Sequence, residues 1–179
     1  MTAALAFVFA GTWFGSTSMA AHLPRILQEA GATLPAAIAA AALVGPAQVA
    51  ARILEFSFMR HVQPLTSAQV ASLAHPVGAG ILLAAGAPAA PVFTIAHGAG
   101  DGVMTIANGT LPLYLFGSGG YGMRQGLLLM PARFLQAGAP FVFDLLLSRI
   151  GTGALAVSAA FGVASFLALA LLRVWTHPR

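Results

Sequence analysis

Six apolar stretches of about 20 residues each, separated by short turns, dominate this sequence. A helix needs about 20 mostly apolar residues to cross the hydrocarbon core of a bilayer. We therefore predict an all-α, polytopic membrane protein in which six transmembrane helices form a single domain over residues 1–179. The predicted spans cover residues 3–27, 34–58, 67–86, 90–116, 126–148 and 154–173, and glycine, proline or polar turns mark the breaks.

The composition excludes a water-soluble fold and several classes of function. Hydrophobic residues make up 59% of the chain and charged residues 7%, whereas a soluble domain carries about 25% charged residues. Cysteine is absent, and no zinc, P-loop or dinucleotide-binding pattern is present, so we predict no metal, no cofactor and no enzymatic activity. The eight basic side chains form no patch, so nucleic acid is not an expected partner.

The arginines also predict the orientation of the chain. Six spans place both termini on one side, and cytoplasmic loops carry an excess of positive charge. With the termini inside, the cytoplasmic residues are Arg60, Arg124, Arg173 and Arg179, against Arg25 and Arg149 outside. Arginine without lysine, together with abundant alanine, is typical of a GC-rich bacterial genome. We therefore expect a multi-pass protein of the bacterial cytoplasmic (inner) membrane with N-in/C-in topology.

A polar stripe runs along the predicted fourth span. Its side chains follow one another at steps of three or four residues and fall within about 80° of one helix face: Thr94, His97, Asp101, Thr105 and Asn108. An ionisable group in lipid costs at least a few kcal/mol unless it meets a partner or water. The stripe predicts a substrate and proton pathway, with Asp101 and His97 as candidates for proton coupling. The alternative for Asp101 is a carboxyl group that a neighbouring Ser, Thr or Arg satisfies or that is simply protonated, because burial favours the neutral form of an acid.

Other polar residues indicate a gate and a packing contact. Arg52 and Glu55 on span two, and Arg133 on span five, lie at similar predicted depth and could form ion pairs that close an inner gate. Gly98 and Gly102 flank Asp101 and serve either close helix packing or local unwinding around a substrate. Spans three and six carry almost no charge, so they are predicted to form a lipid-facing wall.

A weak internal repeat relates the two halves of the chain. Leu23-Pro24 recurs as Leu111-Pro112, and similar intervals separate Pro46 from Pro131 and Arg60 from Arg149. Because three spans reverse the topology, two such triplets would be inverted repeats.

Three segments resemble bacterial major facilitator superfamily transporters. Residues 43–56 (LVGPAQVAARILEF) resemble their eighth transmembrane segment. Residues 100–113 (GDGVMTIANGTLPL) resemble the tenth segment, and residues 119–122 (GGYG) resemble the loop that follows it. Residues 22–28 (HLPRILQ) resemble the end of the seventh segment. The resemblance implies the C-terminal half of such a transporter, a six-helix bundle of two inverted three-helix repeats. It also implies secondary, proton-coupled transport of a small molecule or ion by alternating access.

The resemblance has two departures and one consequence for the partner. Related sequences carry arginine where Asn108 stands, and the family's loop signature is not recognisable around Arg60–Thr66. The family builds its cavity between two six-helix halves, so this chain is expected to be a truncated part of a longer protein or a remnant without independent transport. Pairing with a second six-helix half or as a homodimer is the alternative.

The histidines allow a function of a different class. His22, His75 and His97 lie in predicted spans, and paired histidines can ligate haem in a membrane redox protein. Their predicted depths differ, so this alternative is remote.

Overall fold

The computed structural model describes residues 1–58 and 62–176, and this described part is all-helical, as predicted. The helices are α1 (Thr2–Glu29), α2 (Leu34–Ala41), α3 (Val44–Phe58), α4 (Pro64–Ala85), α5 (Ala90–Phe116), α6 (Tyr121–Ile150) and α7 (Ala154–Thr176). Short 3-10 turns, Ala87–Ala89 and Gly151–Gly153, precede α5 and α7. Arg60 and Arg179, which the orientation argument uses, lie outside the described residues.

Several of these helices are suited to a bilayer, so the chain is a membrane-embedded protein. Within the described residues, four stretches are long and apolar enough to cross a membrane: Thr2–Glu29, Leu34–Ser57, Pro64–Ala85 and Tyr121–Trp175. The last contains both α6 and α7, which are separated at Gly151, where the backbone takes a φ of 54°. Helix α5 is not among the four, since its polar stripe lowers its hydropathy.

The segment expected as one span over residues 34–58 consists of two helices. Helix α2 begins behind an N-cap, where the side chain of Thr33 accepts a hydrogen bond from the backbone N–H of Ala36. It ends at Ala41, and α3 begins at Val44. Pro46 explains the break, because it has no N–H to donate to the carbonyl of Ala42 and its ring crowds that carbonyl.

Contacts between helices give their relative directions. Helices α1 and α6 run parallel, since His22 contacts the carbonyl of Pro140 at 2.9 Å and Arg25 pairs with Asp144 at 2.6 Å further along both helices. Helices α4 and α7 run antiparallel, because Ser72 lies beside Gly162 whereas His75, further along α4, bonds to Ser158, further back on α7.

Glycines bring α5 close to both of its main neighbours. Gly98 and Gly102 lie against α3, beside Val44 and Gln48 respectively, so α3 and α5 run parallel. Gly100 lies against Ala71 of α4, and α4 runs antiparallel to α5. Helix α5 therefore extends alongside helices on both sides for most of its length.

The helix pairs have a regular pattern. The principal contacts join α1 to α6 and α7, α5 to α3 and α4, and α4 to α7. The two halves of the chain make equivalent contacts. The same pairs are obtained when α1 is exchanged with α5, the α2–α3 segment with α6, and α4 with α7.

The interior contains two apolar clusters with polar side chains between them. One cluster includes Phe14, Leu23, Phe93, Phe143 and Leu155. The other gathers residues such as Leu5, Leu65, Leu111, Leu128 and Leu169, which lie towards the opposite ends of the same helices. The polar side chains between the two clusters form the candidate site.

Candidate functional site

Asp101 lies where α1, α3 and α5 meet, and two side chains from the neighbouring helices bind its carboxylate. Ser16 Oγ donates to Asp101 Oδ2 at 3.0 Å, and Gln48 Nε2 donates to the same oxygen at 2.8 Å. Asp101, Ser16 and Gln48 are each near the midpoint of their helical segment. Two neutral donors on one oxygen partly replace the hydration that a carboxylate loses in a membrane interior.

The glycines around Asp101 explain how Gln48 reaches it. A Cβ added at Gly98 would lie 2.6 Å from the carbonyl oxygen of Val44, and one at Gly102 would lie 2.6 Å from that of Gln48. No side chain other than hydrogen fits these contacts, so α3 and α5 approach closely enough for short polar side chains to meet. Because α5 is helical throughout, the glycines serve packing and not local unwinding.

A second polar cluster lies next to Asp101 and joins α4, α5 and α7. The Nδ1 atoms of His75 and His97 are 3.1 Å apart, and the two ring centroids are 5.0 Å apart. On its other side, His75 Nε2 lies 2.9 Å from Ser158 Oγ, and Ser158 donates its hydroxyl proton to the carbonyl of Leu155. Phe93 packs against both imidazole rings.

Two cavities meet at these polar groups. A cavity of about 50 Å³ lies between α1, α4, α5 and α7, and His75, His97, Asp101 and Ser158 line part of its wall. At 10–15 Å³ for each water, it has room for a few water molecules. A groove of about 220 Å³ lies between α1, α3 and α5, and Gln48 lines it. Ser16, His97 and Asp101 line both spaces, so they form the boundary between them.

The other members of the polar stripe have different surroundings. Thr94 is buried and donates to the carbonyl of Pro91 at 3.0 Å, whereas Thr105 is exposed and donates to the carbonyl of Asp101. Asn108 is buried, and its side-chain oxygen has no hydrogen-bond partner among the described residues. None of these three lines either cavity, so the structure brings only His97 and Asp101 of the stripe into the site.

The backbone carbonyl of Asn108, unlike its side chain, accepts a hydrogen bond from another helix. Pro112, four residues later, has no N–H with which to bond this carbonyl inside the helix. Gln125 of α6 donates to it instead, at 2.8 Å. Asn108 therefore lies at a contact between α5 and the start of α6.

The residues predicted to form an inner gate are not paired with one another. Among the described residues, no ion pair joins Glu55 to Arg52 or Arg133. Arg52 Nε and Glu55 Oε2 are both enclosed without a hydrogen-bond partner in that part of the chain. Arg133 lies over the ring of Trp13, 4.6 Å from its centroid, and donates to Gln136. The ion pairs observed join Arg25 to Glu29 and Asp144.

Sequence reasoning missed part of the site because it treated spans three and six as a lipid-facing wall. One face of α4 and α7 does expose apolar side chains: Val70, Val77, Ile81 and Leu83 on α4, and Val163, Leu167, Leu171 and Val174 on α7. The opposite face contributes His75 and Ser158 to the polar cluster. Ser72 and His75 share a helix face, as do Ser158 and Ser165, and this spacing was the available signal.

The histidines also correct an argument made from depth. His75 and His97 were expected at different depths, yet they are in direct contact. The expectation failed because α4 and α5 are antiparallel neighbours, which brings residues 22 positions apart to one level. Among the described residues, no group of three or more metal-ligating side chains is present.

A scan against protein-family models found none that matches this chain, and a search of curated proteins found no significant similarity. The interpretation of the site therefore depends on its own geometry. A half-buried carboxylate between two cavities, with an imidazole one helical turn away, can accept and release a proton or bind a hydrogen-bond donor.

Proposed function

We propose that this chain is half of a secondary active transporter that couples the movement of a small polar solute to protons. The observation that carries the proposal is the position of Asp101. This carboxylate lies near the middle of the bundle, lines a groove on one side and a second cavity on the other, and receives its two hydrogen bonds from neutral donors. Ionisable groups inside membrane helices are costly and typically mark an ion or substrate pathway.

The coupling step uses Asp101 as the group that gains and loses the proton. Ser16 and Gln48 both donate to Oδ2, so Oδ1 has no hydrogen bond to the described residues. A proton on Oδ1 leaves both existing hydrogen bonds in place. The carboxyl group then changes its charge without a change in side-chain packing, and the solute in the groove senses that charge.

The arrangement of helices supports a six-span bundle of two inverted triplets. The set of helix contacts is unchanged when the first three predicted spans are exchanged for the last three. Helix α5 runs parallel to α3 and antiparallel to α4, so its two ends lie at opposite ends of the bundle. It then crosses the membrane with the more apolar helices and shields its polar stripe among them, with both termini in the cytoplasm of a bacterial cell.

Transport by alternating access requires a second set of helices facing the groove. In the proposed mechanism this chain works with a second six-helix half, or with another copy of itself, and the two halves rock about the groove. In the proposed mechanism the ion pair between Arg133 and Glu55 forms in another conformation of the alternating-access cycle.

The test compares two aspartates in the full chain reconstituted in liposomes that contain a pH-sensitive dye. A panel of small polar solutes is added, and solute-driven proton movement is recorded. The Asp101→Asn variant is expected to lose this signal by about 100-fold, the lower range for a group that transfers protons. Asp144→Asn makes the same chemical change at a half-exposed ion pair and serves as the control. Solute-driven proton movement that is present in the wild-type chain and equally strong in the Asp101→Asn chain would contradict the coupling role.

A further inference from the structure

The proposed coupling step at Asp101 does not involve the cluster formed by His75, His97 and Ser158. Its three side chains come from three helices: His97 and Ser158 are buried, at 6% and 3% exposure, and His75 is half-buried. Ring nitrogens of histidine either donate or accept depending on the tautomer, and hydrogen-bond partners decide which. The partners here are sufficient to assign both rings.

The assignment starts at Ser158 and follows the protons. A serine hydroxyl has one proton, and Ser158 donates it to the carbonyl oxygen of Leu155 at 3.0 Å. With the Ser158 proton on the Leu155 carbonyl, the Ser158 oxygen accepts from His75, and His75 Nε2 is then the protonated nitrogen of that ring. In a neutral imidazole the other nitrogen carries a lone pair, so His75 Nδ1 is an acceptor.

The same count fixes His97. Its Nδ1 lies 3.1 Å from His75 Nδ1, which has no proton, so His97 Nδ1 must be the donor. The neutral ring of His97 then has an unprotonated Nε2. This atom makes no hydrogen bond to the described residues, while the His97 side chain lines both the smaller cavity and the groove.

We infer that Ser158 and His75 are positioning residues that hold neutral His97 as its Nδ1–H tautomer and so present the Nε2 lone pair at the groove as an acceptor. Asp101 Oδ1 is a second free acceptor one helical turn along α5. Two acceptors side by side fit a solute that carries hydrogen-bond donors, such as hydroxyl or amino groups. This substrate class depends on the proposed transport function, whereas the tautomer does not.

The tautomer can be measured without knowing the solute. The full chain is labelled with ¹⁵N-histidine in lipid nanodiscs, and nitrogen–proton correlation spectra distinguish protonated from unprotonated ring nitrogens. The His97 signals are assigned by comparison with the His97→Gln chain. In the wild type we expect a protonated Nδ1 and an unprotonated Nε2 on His97.

Two serine variants then test the positioning role. Ser158→Ala removes the acceptor for His75 Nε2–H, so His75 becomes free to move its proton to Nδ1, and His97 is expected to shift towards the Nε2–H form. Ser72→Ala is the matched control, because Ser72 also donates to a carbonyl three residues back, on Gln69, and lines the same cavity without bonding a histidine. Its His97 spectrum should equal that of the wild type.

The outcomes separate this inference from the proposed function. A wild-type His97 with a protonated Nε2, or an equal response of His97 to both serine variants, would overturn the inference. The expected spectra together with a failed liposome assay would uphold the positioning role and reject transport. Loss of solute-driven proton movement in Ser158→Ala, with normal movement in Ser72→Ala, would support both.

Discussion

At the scale of single residues, the glycines of α5 determine whether the site can assemble. Each of Gly98, Gly100 and Gly102 faces a carbonyl oxygen of a neighbouring helix at a distance that a Cβ atom would not tolerate. Two of them face α3, which supplies Gln48 to Asp101. Because these positions carry no side chain, α3 packs close enough to α5 for Gln48 to bond to Asp101.

We predict that Gly98→Ala destabilises the protein by about 1–3 kcal/mol, the usual cost of forcing an extra group into a packed interior. The neighbouring backbone of Val44 cannot move aside as a flexible side chain could. Gly109→Ala on the same helix is the control, because the nearest atom to its added Cβ is the hydroxyl of Tyr121 at 3.8 Å. The measurement is unfolding of both variants in detergent, and equal stability of the two would contradict the packing role.

At the scale of helices, an ion pair joins the parallel helices α1 and α6. Arg25 contacts Asp144 and also Glu29 one turn further along its own helix, and the Arg25 and Asp144 side chains are 43% and 53% exposed. Exposed ion pairs contribute little because water screens both charges. The buried contact of these helices is apolar and includes Phe14 beside Phe143.

Accordingly, Asp144→Asn is expected to lower the free energy of unfolding by less than about 1 kcal/mol. Phe143→Ala removes a fully buried aromatic ring from the same pair of helices and should cost about 3–5 kcal/mol. Both values come from denaturation of the purified chain. A larger effect from Asp144→Asn than from Phe143→Ala would show that the ion pair holds the helices together.

At the scale of the whole molecule, the side of the membrane on which each loop lies tests the proposed six-span topology. The turn before α5 and the turn after it lie on opposite sides if α5 crosses the membrane, and on one side if it does not. The sequence contains no cysteine, so a single introduced cysteine reports without background. This chain is therefore well suited to labelling with a membrane-impermeant maleimide.

With the N-terminus in the cytoplasm, Ala87→Cys should be labelled in intact cells and Ser118→Cys only after the membrane is permeabilised. Thr33→Cys, in the turn after α1, is the external reference. Labelling of Ala87→Cys and Ser118→Cys under the same conditions would exclude α5 as a span.

Much of the fold could be predicted from the sequence, but only part of the site. Hydropathy and turn residues are local signals, so the helices lie close to the predicted segments, and the break caused by Pro46 could have been read in the same way. The partners of Asp101 could not, because Ser16 and Gln48 meet it through long-range packing. Similarly, nothing local to His75 indicates that His97 is its neighbour.

The order of the helices along the chain has a consequence for synthesis. Helix α1 is synthesised before the other helices described here, yet its main neighbours are α6 and α7, the two that follow all the others. The face of α1 that packs against α6 and α7 therefore has no helix partner until nearly the whole chain has been inserted. The polar cluster is completed equally late, because His75 bonds to Ser158 only after α7 is in place. A ribosome that stops before α7 would leave the α7-facing surfaces of α1 and α4 without a partner, and the histidine pair without Ser158.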